Sequence, residues 1–331
     1  METLNMDISN VTPILKNLAT KIKLSTPTSN TYLRRYRKNE APFIAGVNAL
    51  GVNEAPLPEI LIMLGIRSMT LNTSVNLEAL SNLKVTTPAG ENEQHQWVYF
   101  KDETVLTALR ELFQNCKTIA FDDWAGMWGA SDLWYGLLRD VIMPTGKIDI
   151  EFIFYLGDAL NKLFFEVDEA LDVIGDFSRH GNVTFALDQK EAVKLWMMLN
   201  GVKNQDTLPE QSSIDLKRKY FSIFRTMNIA RLMIYSANDV SMFSNEKQFV
   251  LSRRTVDAKI EYGPDARQDY IAGLSTGFLF DMDIAYCITL GLIAFGTAGA
   301  LGTEPQRNDL LSYIDTWLAD LDKPSTIDLY Q

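Results

Sequence analysis

The longest apolar stretch of the chain, residues 284–303, sets the first constraint on how the sequence can fold. No residue from Ile284 to Thr303 is charged. About 20 apolar residues are enough for a helix to cross a bilayer. However, the segment contains glycines at 291, 296, 299 and 302, and no Lys or Arg lies between Arg267 and Arg307 to orient an insertion. The composition therefore predicts a buried core segment that the rest of the chain covers.

Composition describes an ordinary globular chain. Of its 331 residues, 47% are hydrophobic and 22% are charged, which allows one large domain or two lobes. Cys116 and Cys287 lie in apolar surroundings and are interpreted as reduced core residues. The only histidines, His95 and His180, are too few for most zinc sites or histidine-based acid–base catalysis, so no cofactor is expected.

Hydrophobic periodicity predicts a mainly α fold of two helical lobes with a minor β-hairpin. Asp102 and Asp188 are predicted to cap helices over Glu103–Cys116 and Gln189–Leu199. Further helices are predicted over 149–165 and 213–237, and the hairpin over 84–87 and 96–100. Because 202–211 has the composition of a linker, the predicted units are an N-terminal arm with a basic linker (1–40), lobe 1 (41–205) and lobe 2 (206–331).

Charge is unevenly distributed along a chain whose net charge is −11. Residues 1–40 contain seven basic and three acidic residues, and residues 211–262 contain nine and five. Cations that converge on one groove could hold a nucleic-acid backbone, provided that the acidic remainder faces away. The predicted nucleic-acid contacts are Arg34, Arg35, Arg37, Lys38, Lys217, Arg218, Lys219, Arg225, Arg253 and Arg254.

Two acidic pairs are candidates for chemistry. Asp122 and Asp123 precede Trp124, and paired carboxylates beside an aromatic ring could bind a sugar or act as acid and base. The alternative is a helix cap next to a core aromatic.

The second pair lies in FLFDMD, residues 278–283. Three apolar residues before Asp-x-Asp resemble the first motif of haloacid-dehalogenase-type phosphatases and the metal-binding Asp-x-Asp of many glycosyltransferases. The phosphatase resemblance implies that Asp281 is a nucleophile and Asp283 an acid–base. The Gly-Thr expected after the second aspartate is replaced by Ile284-Ala285, and 48 residues follow Asp283. The alternative is a pair of aspartates at a helix start.

No P-loop, G-x-G-x-x-G, G-x-S-x-G, H-E-x-x-H or Cys-x-x-Cys motif occurs. The sequence therefore favours a non-enzymatic coat or nucleocapsid-type protein that self-assembles and packages single-stranded nucleic acid without sequence specificity. A cytoplasmic or virion location and no membrane partner are expected. The alternatives are a metal-dependent Asp-x-Asp enzyme centred on Asp281 and Asp283, or a non-catalytic adaptor.

Overall fold

The computed structural model describes residues 3–5, 8–24, 32–35, 59–71, 79–80, 82–85, 96–159, 162–202, 213–236, 239–252, 266–301 and 306–323. Nine strands form one mixed sheet in the order β1-β9-β8-β7-β6-β5-β4-β3-β2. The four central strands β4–β7 are parallel. On one side β3 runs antiparallel to β4 and β2 antiparallel to β3, and on the other β8 runs antiparallel to β7 and β9 antiparallel to β8. β1 adds to the edge parallel to β9. The strands are β1 (Thr3–Asn5), β2 (Tyr32–Arg35), β3 (Ile66–Leu71), β4 (Cys116–Phe121), β5 (Ile150–Phe154), β6 (Gly181–Asp188), β7 (Arg231–Tyr235), β8 (Asp239–Ser244) and β9 (Gln248–Ser252).

Helices cover both faces of the sheet. On the first face lie α2 (Glu59–Met63), α3 (Glu103–Asn115), α4 (Ala130–Leu137), α5 (Phe164–Asp176), α6 (Gln189–Leu199) and α7 (Ser213–Thr226). On the second lie α1 (Ile8–Leu24), α8 (Ala266–Leu279), α9 (Ile284–Leu301) and α10 (Arg307–Asp322). The result is a three-layer α/β/α architecture with a separate core on each side of the sheet.

The side chains of the central strands alternate between these two cores. Phe152 and Phe154 of β5 point to the first core, whereas Ile153 and the following Tyr155 point to the second. In the first core Phe154 stacks on Phe121 of β4, with ring centroids 4.7 Å apart. Because both faces are buried, each central strand is a nearly continuous apolar run instead of an alternating one.

The predicted mainly α fold with two helical lobes is therefore wrong. The stretch predicted as a helix over 149–165 contains β5, and α7 ends at Thr226, before β7 begins at Arg231. Short apolar runs that are buried on both faces have no strand period, so helical spacing can be found in them by chance. Strands from all three predicted units, 1–40, 41–205 and 206–331, contribute to the single sheet.

The predicted hairpin is also not observed where the structure describes it. Trp97–Phe100 forms a 3₁₀ turn, and residues 86–95 lie outside the described part. The Trp97 indole donates to Asp140 at 2.6 Å, and its backbone N–H donates to Asp132 at 2.6 Å. Asp140 lies in Leu138–Ile142, a π-helical turn that continues α4. These long-range bonds fix the segment in a conformation that strand propensity alone does not predict.

Several local predictions are confirmed. Asp102 caps α3 by accepting the N–H groups of Thr104 and Val105, and Asp188 caps α6 in a reciprocal capping box with Glu191. The apolar stretch forms α9, whose residues Cys287–Ala298 are all buried. By length and composition α9 could cross a membrane, but 67% of it is buried within the fold, as expected for a core helix.

Close packing of α8 against α9 depends on glycine. A Cβ built at Gly273 of α8 would come within 2.5 Å of the Leu290 carbonyl oxygen, and one at Gly277 within 2.8 Å of Cys287 Cα. In both cases the contacted atoms include backbone atoms of α9, and backbone atoms cannot rotate away as a side chain can. The two helices can therefore approach this closely only where a side chain is absent.

We expect Gly273→Ala to lower the free energy of unfolding by about 1–3 kcal/mol, because α9 must move to admit the methyl group. Gly175→Ala in α5 is the matched control. Its nearest foreign atom would be 4.0 Å from the new Cβ, so the better helix propensity of alanine should raise stability by up to about 1 kcal/mol. Urea unfolding of both variants measures the difference, and equal effects would contradict the glycine contact.

Candidate functional site

The carboxyl ends of the four parallel strands meet one arginine. Arg267, in the first turn of α8, donates from Nη1 to Asp122 Oδ1 at 3.1 Å and from Nη2 to Glu191 Oε1. Its Nε lies 3.3 Å from the Tyr235 hydroxyl, and its guanidinium carbon lies 5.2 Å from the centre of the Tyr155 ring. Asp122 follows β4, Tyr155 follows β5, Glu191 lies three residues beyond β6, and Tyr235 ends β7. We call these five residues the Arg267 cluster.

Local sequence explains how the carboxylates reach Arg267. Glu191 belongs to the capping box of α6, so the N–H of Asp188 donates to its Oε2 while the Asp188 carboxylate accepts the N–H of Glu191. Asp122 is the first residue after β4, and its N–H donates to the Gly65 carbonyl before β3. The end of β4 and the capping box of α6 therefore direct the carboxylates of Asp122 and Glu191 to Arg267.

Burial makes the electrostatics of the cluster strong. The side chains of Asp122 and Glu191 are 9% and 10% exposed, while that of Arg267 is 22% exposed. Burial alone would lower the pKa of Arg267, but the neighbouring Tyr235, Asp122 and Glu191 outweigh it and raise that pKa. The guanidinium is therefore a permanent cation with one side open to solvent.

More exposed charged residues lie at the same edge, in the segments that follow β4, β5 and β6. Lys194 of α6 forms a 2.9 Å ion pair with Asp158, which lies four residues beyond β5, and Lys162 lies 5.5 Å from the centre of the Trp124 ring. Asp123 adopts a left-handed conformation with φ of 59° and caps the following turn by accepting the Gly126 N–H at 3.2 Å.

The loops after β4 and β5 interlock closely. The Ala125 N–H donates to the Leu156 carbonyl at 2.7 Å, and Gly157 is left-handed with φ of 72°. A Cβ at Gly157 would lie 2.8 Å from Asp123 Oδ1, so both the φ angle and the contact require glycine there. The site therefore has a rigid rim at this edge.

Asp122 and Asp123, considered together in the sequence, have separate roles. Asp122 binds Arg267, whereas Asp123 caps a turn, so the two carboxylates do not act as a pair. No sequence pattern marks Arg267 or Glu191 as a site residue. The position of Glu191 in a capping box indicates a helix start, but its partner Arg267 lies 76 positions away.

The second acidic pair lies elsewhere. Asp281 is in the turn between α8 and α9, with φ of 50°, and it forms an ion pair with Lys117 of β4. Within the described residues no three His, Cys, Asp or Glu side chains are grouped so that they could hold a metal. The predicted Asp-x-Asp enzyme is wrong, because Asp281 closes a helix–helix turn and is paired with Lys117.

The predicted nucleic-acid contacts are not brought together where the structure describes them. Lys217, Arg218, Lys219 and Arg225 lie on α7, which packs on β7 and β8, and Lys219 lies over the Trp196 ring. Arg34 and Arg35 are in β2, five strands from β7, which is about 24 Å at the usual strand spacing. Arg37, Lys38, Arg253 and Arg254 lie outside the described residues. These contacts stay an untested prediction.

Comparisons with known proteins give matches in structure only. No protein-family model matches the chain, and no curated protein matches its sequence. Among solved structures, the chain is similar to adenosine kinase from Sinorhizobium meliloti, with a TM-score of 0.44 and 15% identity over 62% of this chain and 56% of that one. Arabidopsis thaliana ribokinase complexed with ribose and ATP gives 0.43 and 10% over 64% and 59%. The tetrameric inhibited form of Escherichia coli phosphofructokinase-2 gives 0.45 and 12% over 66% and 62%. The chain thus spans less than two thirds of each of these proteins.

The α/β/α architecture contradicts the function predicted from the sequence. The coat or nucleocapsid-type protein was expected from missing catalytic motifs and from two basic blocks in a mainly α chain, and the nine-stranded α/β/α sandwich contradicts that fold, so the prediction is wrong. The expectations of a non-enzymatic protein and of an adaptor belong to the same interpretation and are corrected with it. The virion location depended on the coat-protein interpretation and is corrected with it.

We expect the Arg267 cluster to make stability depend on pH through Glu191. Burial raises the pKa of Glu191 to about 7, from an ordinary value of 4.5, against the opposing attraction of Arg267. The folded protein therefore binds this proton more tightly than the unfolded chain does. The free energy of unfolding should fall as pH rises from about 4.5 to about 7, by at most about 3 kcal/mol from this group.

Glu191→Gln cannot titrate, so its stability should fall less than that of the wild type over the same pH range. Glu166→Gln is the matched control, because Glu166 occupies the same capping-box position in α5 and binds the Leu163 N–H at 2.8 Å. Denaturant unfolding at several pH values measures all three proteins. If the free energy of unfolding of Glu191→Gln depends on pH as strongly as that of the wild type, Glu191 is ionised over this whole pH range.

Proposed function

We propose that this chain is an enzyme that transfers a phosphoryl group from a nucleoside triphosphate to a hydroxyl group of a small sugar-like or nucleoside-like molecule. The supporting observation is the part-exposed guanidinium of Arg267 at the carboxyl ends of four parallel strands. Ligands of open α/β sheets bind at this edge. Arginine is suited to phosphate because its planar fork presents five N–H groups, and three of those on Arg267 are directed to the acceptors described above.

In this reaction the acceptor hydroxyl forms a bond to the terminal phosphorus, the bond to the bridging oxygen breaks, and a nucleoside diphosphate leaves. Catalysis of phosphoryl transfer consists mainly of positioning and charge stabilisation. Arg267 would stabilise charge on the transferred group, and Lys194 and Lys162 supply further cations at the rim. Asp123 and Asp158 are the exposed carboxylates from which a base for the hydroxyl proton would come.

Mg²⁺ would enter as part of the nucleotide substrate, since it commonly binds phosphates with only one or two carboxylates. We infer a cytoplasmic location, where nucleoside triphosphates are available. Self-association, expected from the sequence, stays a prediction.

The test measures nucleoside diphosphate release by the purified chain with Mg·ATP and a panel of pentoses, hexoses and nucleosides. We expect phosphorylation of at least one acceptor class, confirmed by ³¹P NMR of the product. Arg267→Lys should lower kcat at least ~100-fold, because a lysine cannot reproduce the bidentate fork at the transferring group.

Arg231→Lys is the matched control. Arg231 forms a comparably buried ion pair with Glu151 at 2.7 Å, but at the amino end of the strands. It should lower stability without removing activity. No phosphorylation of any acceptor, or an equal loss of kcat in both variants, would refute the assignment of this edge.

A further inference from the structure

Buried polar groups without partners are concentrated under one helix. Within the described residues, five buried side-chain polar atoms of β3, β4 and α8 have no hydrogen-bond partner, and these three elements pack together. Native interiors seldom leave such groups unpaired, so a concentration of this kind requires an explanation. The five side chains are those of Ser68, Thr70, Thr118, Gln268 and Ser275.

The strand register puts the three hydroxyls on one face of the sheet. Thr70 of β3 is paired directly with Thr118 of β4, and Ser68 is paired with Ala120. Residues paired across antiparallel strands point to the same face, and so do residues two apart along a strand. Ala120 belongs to the core beneath α8 and α9, so the hydroxyls point to that side.

The two polar residues of α8 lie on the same side of the helix, and one of them is level with the hydroxyls of the strands. Gln268 and Ser275 are seven residues apart, which is nearly two helical turns. Arg267 meets Asp122 at one end of α8, and the Leu279 carbonyl accepts from Lys117 at the other. Ser275 therefore lies about 12 Å below Arg267, and Thr118 lies about 13 Å below Asp122, so both are at the same level.

We propose that a file of ordered water molecules occupies the seam between α8 and the β3–β4 pair, from the Arg267 cluster down to the level of Thr118 and Ser275. The fully buried Tyr155 hydroxyl, which also has no partner, lies beside the upper end, because its ring packs on Arg267. A buried water needs two to four polar partners, and this seam supplies donors and acceptors from two sides. The inference does not depend on the proposed function.

A hydrated seam and a dry seam predict opposite effects of mutation on stability. Removing an unpaired hydroxyl from a dry interior relieves a desolvation cost, whereas removing one that holds a water breaks a hydrogen bond. Thr70→Val and Thr118→Val preserve side-chain shape and delete only that hydroxyl. If the seam is hydrated, each should lower the Tm by roughly 2–6 °C. An increase, or no change, would overturn the proposal.

Thr276→Val is the control on the same helix. Its hydroxyl is buried but donates within the helix to the Ala272 carbonyl at 2.7 Å, so it reports the effect of the substitution alone. Support requires that Thr70→Val and Thr118→Val lower the Tm more than the control does.

A crystal structure of the unmodified chain gives an independent decision, even if a variant does not fold. Water peaks within about 2.7–3.2 Å of the Thr70, Thr118 and Ser275 hydroxyls support the proposal. A protein atom in their place, or a clear apolar gap, overturns it. Loss of the proposed kinase activity would leave both readouts unchanged, so the two hypotheses fail separately.

Discussion

The contact between Arg267 and the carboxyl ends of the parallel strands determines how the two halves of the chain fit together. Its partners come from the βα units built by residues 116–235, whereas Arg267 itself belongs to the helical layer that follows. A buried arginine without its carboxylates would cost several kcal/mol, as would either carboxylate alone. The ion pairs are therefore more important for specifying where α8 lies than for adding net stability.

A second buried ion pair holds the other end of the same helix. Arg231, the first residue of β7, pairs with Glu151 and lies under the Phe278 ring near the end of α8, 5.0 Å from its centre. With Arg267 at one end and Arg231 at the other, α8 has one orientation across the sheet that satisfies both sites. The glycines that admit α9 and the small side chains of β3 and β4 then fit only that orientation.

Sequence reasoning predicted the local features of this fold and missed its long-range pairing. The caps at Asp102 and Asp188 and the burial of α9 depend on neighbouring residues, so they are visible as short patterns. The central strands are apolar on both faces and have no period to identify them. In the candidate site the sequence shows Asp122 close to Trp124, but the partner of Asp122, Arg267, lies 145 positions away, and no spacing rule connects them.

The position of β1 has a consequence for how the chain folds during synthesis. Thr3 pairs with Gln248, which is made 245 residues later. At about 5–20 residues per second, the first strand leaves the ribosome roughly 10–50 s before its partner exists. Helix α1 likewise packs against α10, near the opposite end of the described chain. The N-terminal segment must therefore stay unpaired while the central strands assemble, and it closes the sheet edge only as one of the last events of folding.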